Sequence, residues 1–319
     1  MTTTFPGVNS VDTRFIRVGF IGAGRTANAL ATALHASGYH VTSVSSRTPA
    51  SAGTLADRIP GCLPFKTAQK VVDICNLVFI TTPDDAIRTV VSEINWHPEM
   101  GVVHCSGAEP SSILNPARQQ GAMIGSFHPM QTFPKSNRSE ISLLGITFAI
   151  DGSLPLLSTL AEMASELGGR SIVIEPHHRT LYHLSGFLAC GAVTALINQA
   201  VGLWAIMGYT KDQGLEVLLP ILKSTVNGLE TQGLLGAMTG PISRGDIGTV
   251  QKHLNALEDQ SPELIPLYCN LALTAIKMTN TNEEIYQTNA QDITRLLEEQ
   301  ITKASTPTVS CIQRTHDAG

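Results

Sequence analysis

Gly22 and Gly24 stand two residues apart, with Ala27 three further on, directly after the apolar run Val18-Gly-Phe-Ile21. A Gly-x-Gly-x-x-Ala spacing suits chemistry on a phosphate. Bare glycine permits a tight turn and lets a pyrophosphate reach backbone N–H groups, and a methyl at Ala27 still lets helix and strand pack closely. A helix beginning near Arg25 and Thr26 would turn its unpaired N–H groups and positive dipole end toward that anion. Farther on, where NAD sites usually carry an acid for the ribose hydroxyls, the sequence reads Ser45-Ser46-Arg47-Thr48, with no acid until Asp57. Two hydroxyls and a guanidinium suit a 2′-phosphate. Ser46, Arg47 and Thr48 are therefore expected to select NADP(H).

Three later stretches follow apolar runs and place polar residues where ligands of an open α/β sheet lie, beyond the carboxyl ends of its strands. Thr82-Pro83-Asp84-Asp85 opens a helix, and the acids there are explained by the positive helix end. His104-Cys105-Ser106-Gly107-Ala108 carries a serine and a glycine expected on the nicotinamide side; Thr82, Pro83, Ser106 and Gly107 join the expected cofactor contacts. Ser126-Phe-His-Pro-Met-Gln-Thr-Phe-Pro134 reads as a loop, and its His128 is a candidate proton donor because imidazole titrates near neutrality. Farther along, Gly240 and Pro241 fix a turn before Arg244 and Asp246. Those two either pair or face the crevice, and Asp246 serves equally well as the cap of a helix over Ile247–Leu257. His177, His178 and His253 lack metal-ligand spacing, and no metal is expected.

The elements that must hold these groups alternate. Strands are expected at 17–21, 40–45, 76–81, 101–105, 121–126, 145–150 and 171–174, with helices at 27–37, 51–58, 84–94, 110–120 and 154–167. Apolar strands separated by helices predict a doubly wound, mostly parallel sheet of the Rossmann class covered on both faces. From His177 onward no strand pattern is left, which predicts an all-helical C-terminal domain. The expected organisation is a leader over 1–14, a cofactor domain over 15–176, a helical domain over 177–303 and a disordered tail over 304–319.

A long apolar helix, Arg179–Met207, is expected to be buried in that second domain or in a dimer interface rather than in lipid. His183, Asn198 and Gln199 are costly in a bilayer, and no flanking basic cluster is present. A chain of 319 residues with 43% hydrophobic content has a core of ordinary size. A formal charge of −5, no basic run and 5% aromatic residues argue against nucleic acid as partner. The six cysteines form no C-x-x-C pair, and the first residues lack an apolar run, so a reducing cytoplasm is expected.

The loop Ser126–Phe133, the helix start Arg179-Thr-Leu-Tyr-His183 and the stretch Leu235-Gly-Ala-Met-Thr-Gly-Pro-Ile-Ser-Arg-Gly-Asp246 together resemble the Rossmann-like proteins that carry domain of unknown function 2520. The resemblance spans residues 17 to 275. Such proteins are similar in plan to pyrroline-carboxylate reductases, ketopantoate reductases and deazaflavin-dependent NADP reductases, with a helical domain like that of 6-phosphogluconate dehydrogenase. The resemblance implies a site between the two domains where the long helix starts, and a homodimer through the helical domain. It also implies Lys where Arg179 stands and Asn near Gly191, and this sequence departs at both. Arg179 and His183, four apart, share one helix face. An arginine keeps its proton at neutral pH, so Arg179 or Arg244 is expected to anchor a carboxylate, and His183, His128 or Tyr182 to move the proton. The expected activity is NADP(H)-dependent reduction of a small carbonyl or imino acid. A non-catalytic NADP-binding sensor and a deazaflavin-linked reductase are the alternatives.

Overall fold

The computed structural model describes residues 16–133, 142–278 and 284–305. The expected leader, the tail beyond 305, Pro134 and Cys311 lie outside them. Two compact units follow one another, residues 1–193 and 194–319.

In the first unit, β1 (Arg17–Ile21) leads through the glycine turn to α1 (Arg25–Ala36), then β2 (His40–Ser45), α2 (Pro49–Ala56), β3 (Leu63–Phe65), α3 (Ala68–Val72), β4 (Leu77–Ile80), α4 (Asp84–Ser92) and β5 (Gly101–His104). A 3-10 turn, Ser111–Leu114, and α5 (Asn115–Arg118) precede β6 (Met123–Pro129), β7 (Thr147–Gly152), α6 (Leu156–Glu166), β8 (Arg170–Val173) and α7 (Arg179–Phe187). The eight strands form one sheet in the order β3-β2-β1-β4-β5-β6-β7-β8. All neighbours are parallel except β6 and β7. The strand order reverses at β1, which places a crevice between the carboxyl ends of β1 and β4.

Burial on both faces explains the apolar strands: β4 and β5 are buried at every position. One core layer joins Phe20, Phe79, Phe127 and Phe148 to α1 and α6, and the other joins Ile80, Val102 and Ile124 to α4 and α5. Phe127 and Phe148 stack at 4.5 Å across the antiparallel pair.

Two differences from the sequence reading have local causes. The stretch from Ser126 to Pro129 is not loop but the end of β6, because the antiparallel partner β7 reaches it, with His128 opposite Ala149. β3 and α3 went unread because Leu63-Pro64-Phe65 is too short and mostly too exposed to show a period.

In the second unit, α8 (Val193–Ile206) is followed by α9 (Lys211–Ala237), α10 (Ile247–Gln260), α11 (Ile265–Met278) and α12 (Glu284–Ser305). Thr210 and Gln213 close a capping box at the start of α9. Val250, Leu254, Cys269, Ile293 and Leu297 form a buried cluster of α10, α11 and α12.

Among the described residues one helical stretch, Pro176–Ile206, is long and apolar enough to cross a membrane by length and composition. It is α7, a π-helical turn at Leu188–Ala192 and α8 in sequence. The expectation of a helix buried on all sides is not met within one chain. Leu181, Leu184, Phe187 and Leu188 are exposed, as are Leu203 and Ile206. Gly191 lies in the π turn under the Phe187 ring: a Cβ there would stand 2.9 Å from two ring carbons.

Candidate functional site

The glycine turn is built for close approach. Gly22 has φ +110°, and a Cβ on it would sit 2.7 Å from the Thr81 carbonyl group. Its own N–H donates to the Ser45 carbonyl at 2.8 Å, which ties the turn to the end of β2. Gly24 has open space where a Cβ would stand, and as N-cap of α1 it supplies no side chain to the free N–H groups. Thr82 Oγ1 is buried with no hydrogen-bond partner in the structure. An open glycine, an uncapped helix start and an orphaned hydroxyl are what a phosphate ligand would complete.

These groups line a cleft of about 680 Å³. Of the expected cofactor contacts, Gly22, Gly24, Ser46, Arg47, Thr48, Thr82 and Pro83 lie on its wall. Arg25, Thr26, Ser106 and Gly107 do not. The Arg25 guanidinium instead donates to the Phe133 carbonyl, strapping α1 to the segment after β6. Thr26 lies inside the first turn of α1.

Ser106 and Gly107 belong to a second cluster, at the carboxyl ends of β5 and β6. Ser106 Oγ donates to Asp84 Oδ2 at 2.6 Å and accepts from the backbone N–H groups of Ala108 and Glu109. Asp84 thus does more than favour the positive end of α4. Gly107 faces two imidazoles: a Cβ there would lie 2.7 Å from His183 Cδ2 and 2.8 Å from His128 Nε2. His128 Nδ1 shares a 2.7 Å hydrogen bond with Tyr182 Oη, and its ring meets those of Tyr182 and His183 edge-on. Consecutive residues of α7 and the end of β6 bring Tyr182, His183 and His128 together, three side chains that the sequence offered as alternative proton donors.

Arg179 differs from expectation. It is completely buried, with Nη1 donating to Ser126 Oγ at 2.8 Å and Nη2 to the Ser106 carbonyl at 2.9 Å. A guanidinium so enclosed is not presented to an incoming carboxylate; it clamps the start of α7 to the ends of β5 and β6. This explains why α7 packs with the first unit, beyond the boundary read at residue 176.

The clamp also sets the electrostatics. Burial, then the Arg179 charge and the neighbouring imidazoles of His183 and His104, push His128 down to about 3. Burial and Arg179 push His104 down to about 4. Both stay neutral imidazoles at neutral pH. Burial raises Tyr182 to about 12, so it stays a phenol.

In the second unit, Asp246 is the N-cap of α10, accepting from Thr249 N at 3.0 Å and Thr249 Oγ1 at 2.7 Å. Those bonds, with Arg244 and Lys252 farther down, hold its carboxyl below the usual range. Arg244 is exposed and makes no described ion pair. Among the described residues no group of His, Cys, Asp and Glu has the makings of a metal site.

Two family models match: a Rossmann-like domain over residues 3–129 and domain of unknown function 2520 over 146–275. The chain is a Rossmann-like protein carrying that second domain. No functionally curated protein matches it. A crystal structure of a protein from Bacteroides fragilis, described as a "putative NADP oxidoreductase", shares 26% identity at a TM-score of 0.67, covering 83% of this chain and all (100%) of that one. A 1-pyrroline-5-carboxylate reductase from Streptococcus pyogenes shares 15% identity at 0.58, covering 90% and 98%. A reductive aminase from Aspergillus terreus, solved with NADPH and ethyl-5-oxohexanoate, shares 15% at 0.57, covering 90% and 94%. The last two likenesses are of fold.

Proposed function

We propose that this protein is an NADP(H)-dependent oxidoreductase that reduces a small carbonyl or imino acid. The observation that carries the reading is the cleft in which an open glycine turn, an uncapped helix start and the Ser46-Arg47-Thr48 hydroxyls and guanidinium share one wall. The Bacteroides structure described as an NADP oxidoreductase supports the same cofactor.

Gly22, Gly24, Thr82 and the Ser46-Arg47-Thr48 segment would hold NADPH in the cleft, where it would supply a hydride. Reduction of a carbonyl also needs one proton at the developing alkoxide, and the His128–Tyr182 pair is suited to provide it. Tyr182 keeps its hydrogen at neutral pH, and neutral His128 orients that hydroxyl through Nδ1. His183 meets the His128 ring edge-on and is exposed. Arg179 holds α7 in place so that Tyr182 meets His128. Of the two arginines expected to anchor a substrate carboxylate, Arg244 keeps the exposed guanidinium.

Calorimetric titration of the full chain with NADPH and NADH, followed by turnover of keto acids and cyclic imino acids, tests the reading. NADPH binding with turnover that falls in Tyr182→Phe and His128→Gln is the expected result. Failure to bind either nucleotide refutes it. One observation favours a second reading, a cofactor-binding sensor: where the resemblance implies a lysine, Arg179 is a buried clamp. A sensor would bind NADPH and turn over none of these substrates. We further propose a cytoplasmic location and a homodimer contact through the exposed apolar residues of α7 to α9, the latter testable by light scattering of the purified protein.

A further inference from the structure

Strand β3 places a lysine at the same cleft, unannounced by any motif. In the β2–β3 register Ser45 lies opposite Phe65, so the next residues, Ser46 and Lys66, leave adjacent parallel strands side by side. Adjacent strands run about 4.8 Å apart. Lys66 lines the cleft with Ser46, Arg47 and Thr48. It is exposed and, among the described residues, has neither an ion pair nor a hydrogen bond. Its ammonium is therefore not already neutralised by the fold.

The charges around the cleft are sorted by element. Asp85 in the first turn of α4 and Glu93 at its end are the acids on the wall, whereas both cations stand where β2 and β3 end. An anionic substituent is thereby favoured at the β2–β3 end and disfavoured along α4. Arg47 offers a planar fork to phosphate, and a lysine adds a mobile point charge that follows the anion.

We propose that Lys66 is a second specificity-determining residue for NADP(H), gripping the 2′-phosphate together with Arg47. The inference rests on the cofactor reading above and extends it to a strand that reading did not use. The two cations act in parallel, so either alone keeps part of the preference and loss of both removes it.

The test is titration of the full-length protein and its Lys66→Ala, Lys66→Arg, Arg47→Ala and doubly substituted forms with NADPH, NADH, 2′,5′-ADP and 5′-AMP. Lys66→Ala is expected to weaken NADPH and 2′,5′-ADP about tenfold, the low end of a charge-assisted contact at an exposed site, and to leave NADH and 5′-AMP unchanged. Lys66→Arg should retain most of the affinity, and the double variant should bind NADPH and NADH alike. If the wild type prefers NADPH and Lys66→Ala keeps the full preference, the proposal for Lys66 is overturned while the cofactor reading stands. If the wild type binds neither nucleotide, or favours NADH, both fall. Equal weakening of NADPH and NADH would mean Lys66 serves the shared part of the nucleotide, which also overturns a role in selection.

Discussion

Gly107→Ala tests the cluster at the ends of β5 and β6 with a single methyl. The added Cβ would stand 2.7 Å from His183 Cδ2 and 2.8 Å from His128 Nε2, where ordinary contact begins at 3.4 Å, so something must move by about 0.6 Å. His183 is exposed and can swing away. His128 cannot move as freely, because its ring is held by Tyr182 at Nδ1 and by β7 along its strand. Overpacking of this size costs about 1–3 kcal/mol of stability. A displacement approaching 1 Å in a catalytic group costs up to about 100-fold in turnover. The expected outcome is therefore a modest shift of the urea midpoint, a 10- to 100-fold fall in kcat on the order set by that displacement, and unchanged NADPH affinity, since Gly107 is not on the cleft wall. Adding His183→Ala to Gly107→Ala should relieve one contact and recover only part of the loss, which a double-mutant cycle reads directly. Turnover and stability both at the wild-type level in Gly107→Ala would refute the packing of His128 against this glycine.

Three further outcomes follow from the same contacts. Arg179→Met, which leaves Ser126 Oγ and the Ser106 carbonyl without their donor, should cost about 2–4 kcal/mol in urea unfolding, and NMR titration should show His128 protonating at higher pH once the neighbouring charge is gone. His104 is held near 4 when folded and titrates near 6.5 when unfolded. The unfolded chain therefore takes up more protons between these values, and stability present above pH 6.5 falls by about 3 kcal/mol on reaching pH 4. His104→Gln should flatten that part of the pH–stability curve. Asp246→Ala should lower the melting temperature through loss of the α10 cap and leave NADPH affinity unchanged, as calorimetry of both properties would show.

The glycine turn was legible because its function is local: strand, turn and helix start are consecutive, and only glycine tolerates φ +110° beside the Thr81 carbonyl. Ser106, Gly107 and His128 were legible by type for the same reason, each following an apolar run, whereas Tyr182 and His183 were legible only through the motif Arg179-Thr-Leu-Tyr-His183. Their partners were not. Arginine at a helix start ordinarily reads as solvated or as a ligand for an anion, and nothing in its neighbours along the chain tells that Ser126 and the Ser106 carbonyl enclose it. Asp84 read as a helix-end acid because its hydrogen bond to Ser106 crosses from α4 to the end of β5. Lys66 was hidden by the brevity of Leu63-Pro64-Phe65, whose strand character exists only through pairing with β2. In each case the missing information is the order of strands in the sheet. A parallel sheet brings the carboxyl ends of β2 and β3, Ser45 and Phe65, or of β5 and β6, His104 and Pro129, side by side although they are far apart in the chain. A search for site residues in such a fold should therefore take the one or two positions after every strand, including strands too short to show a period, and weigh them by sheet neighbour rather than by sequence neighbour.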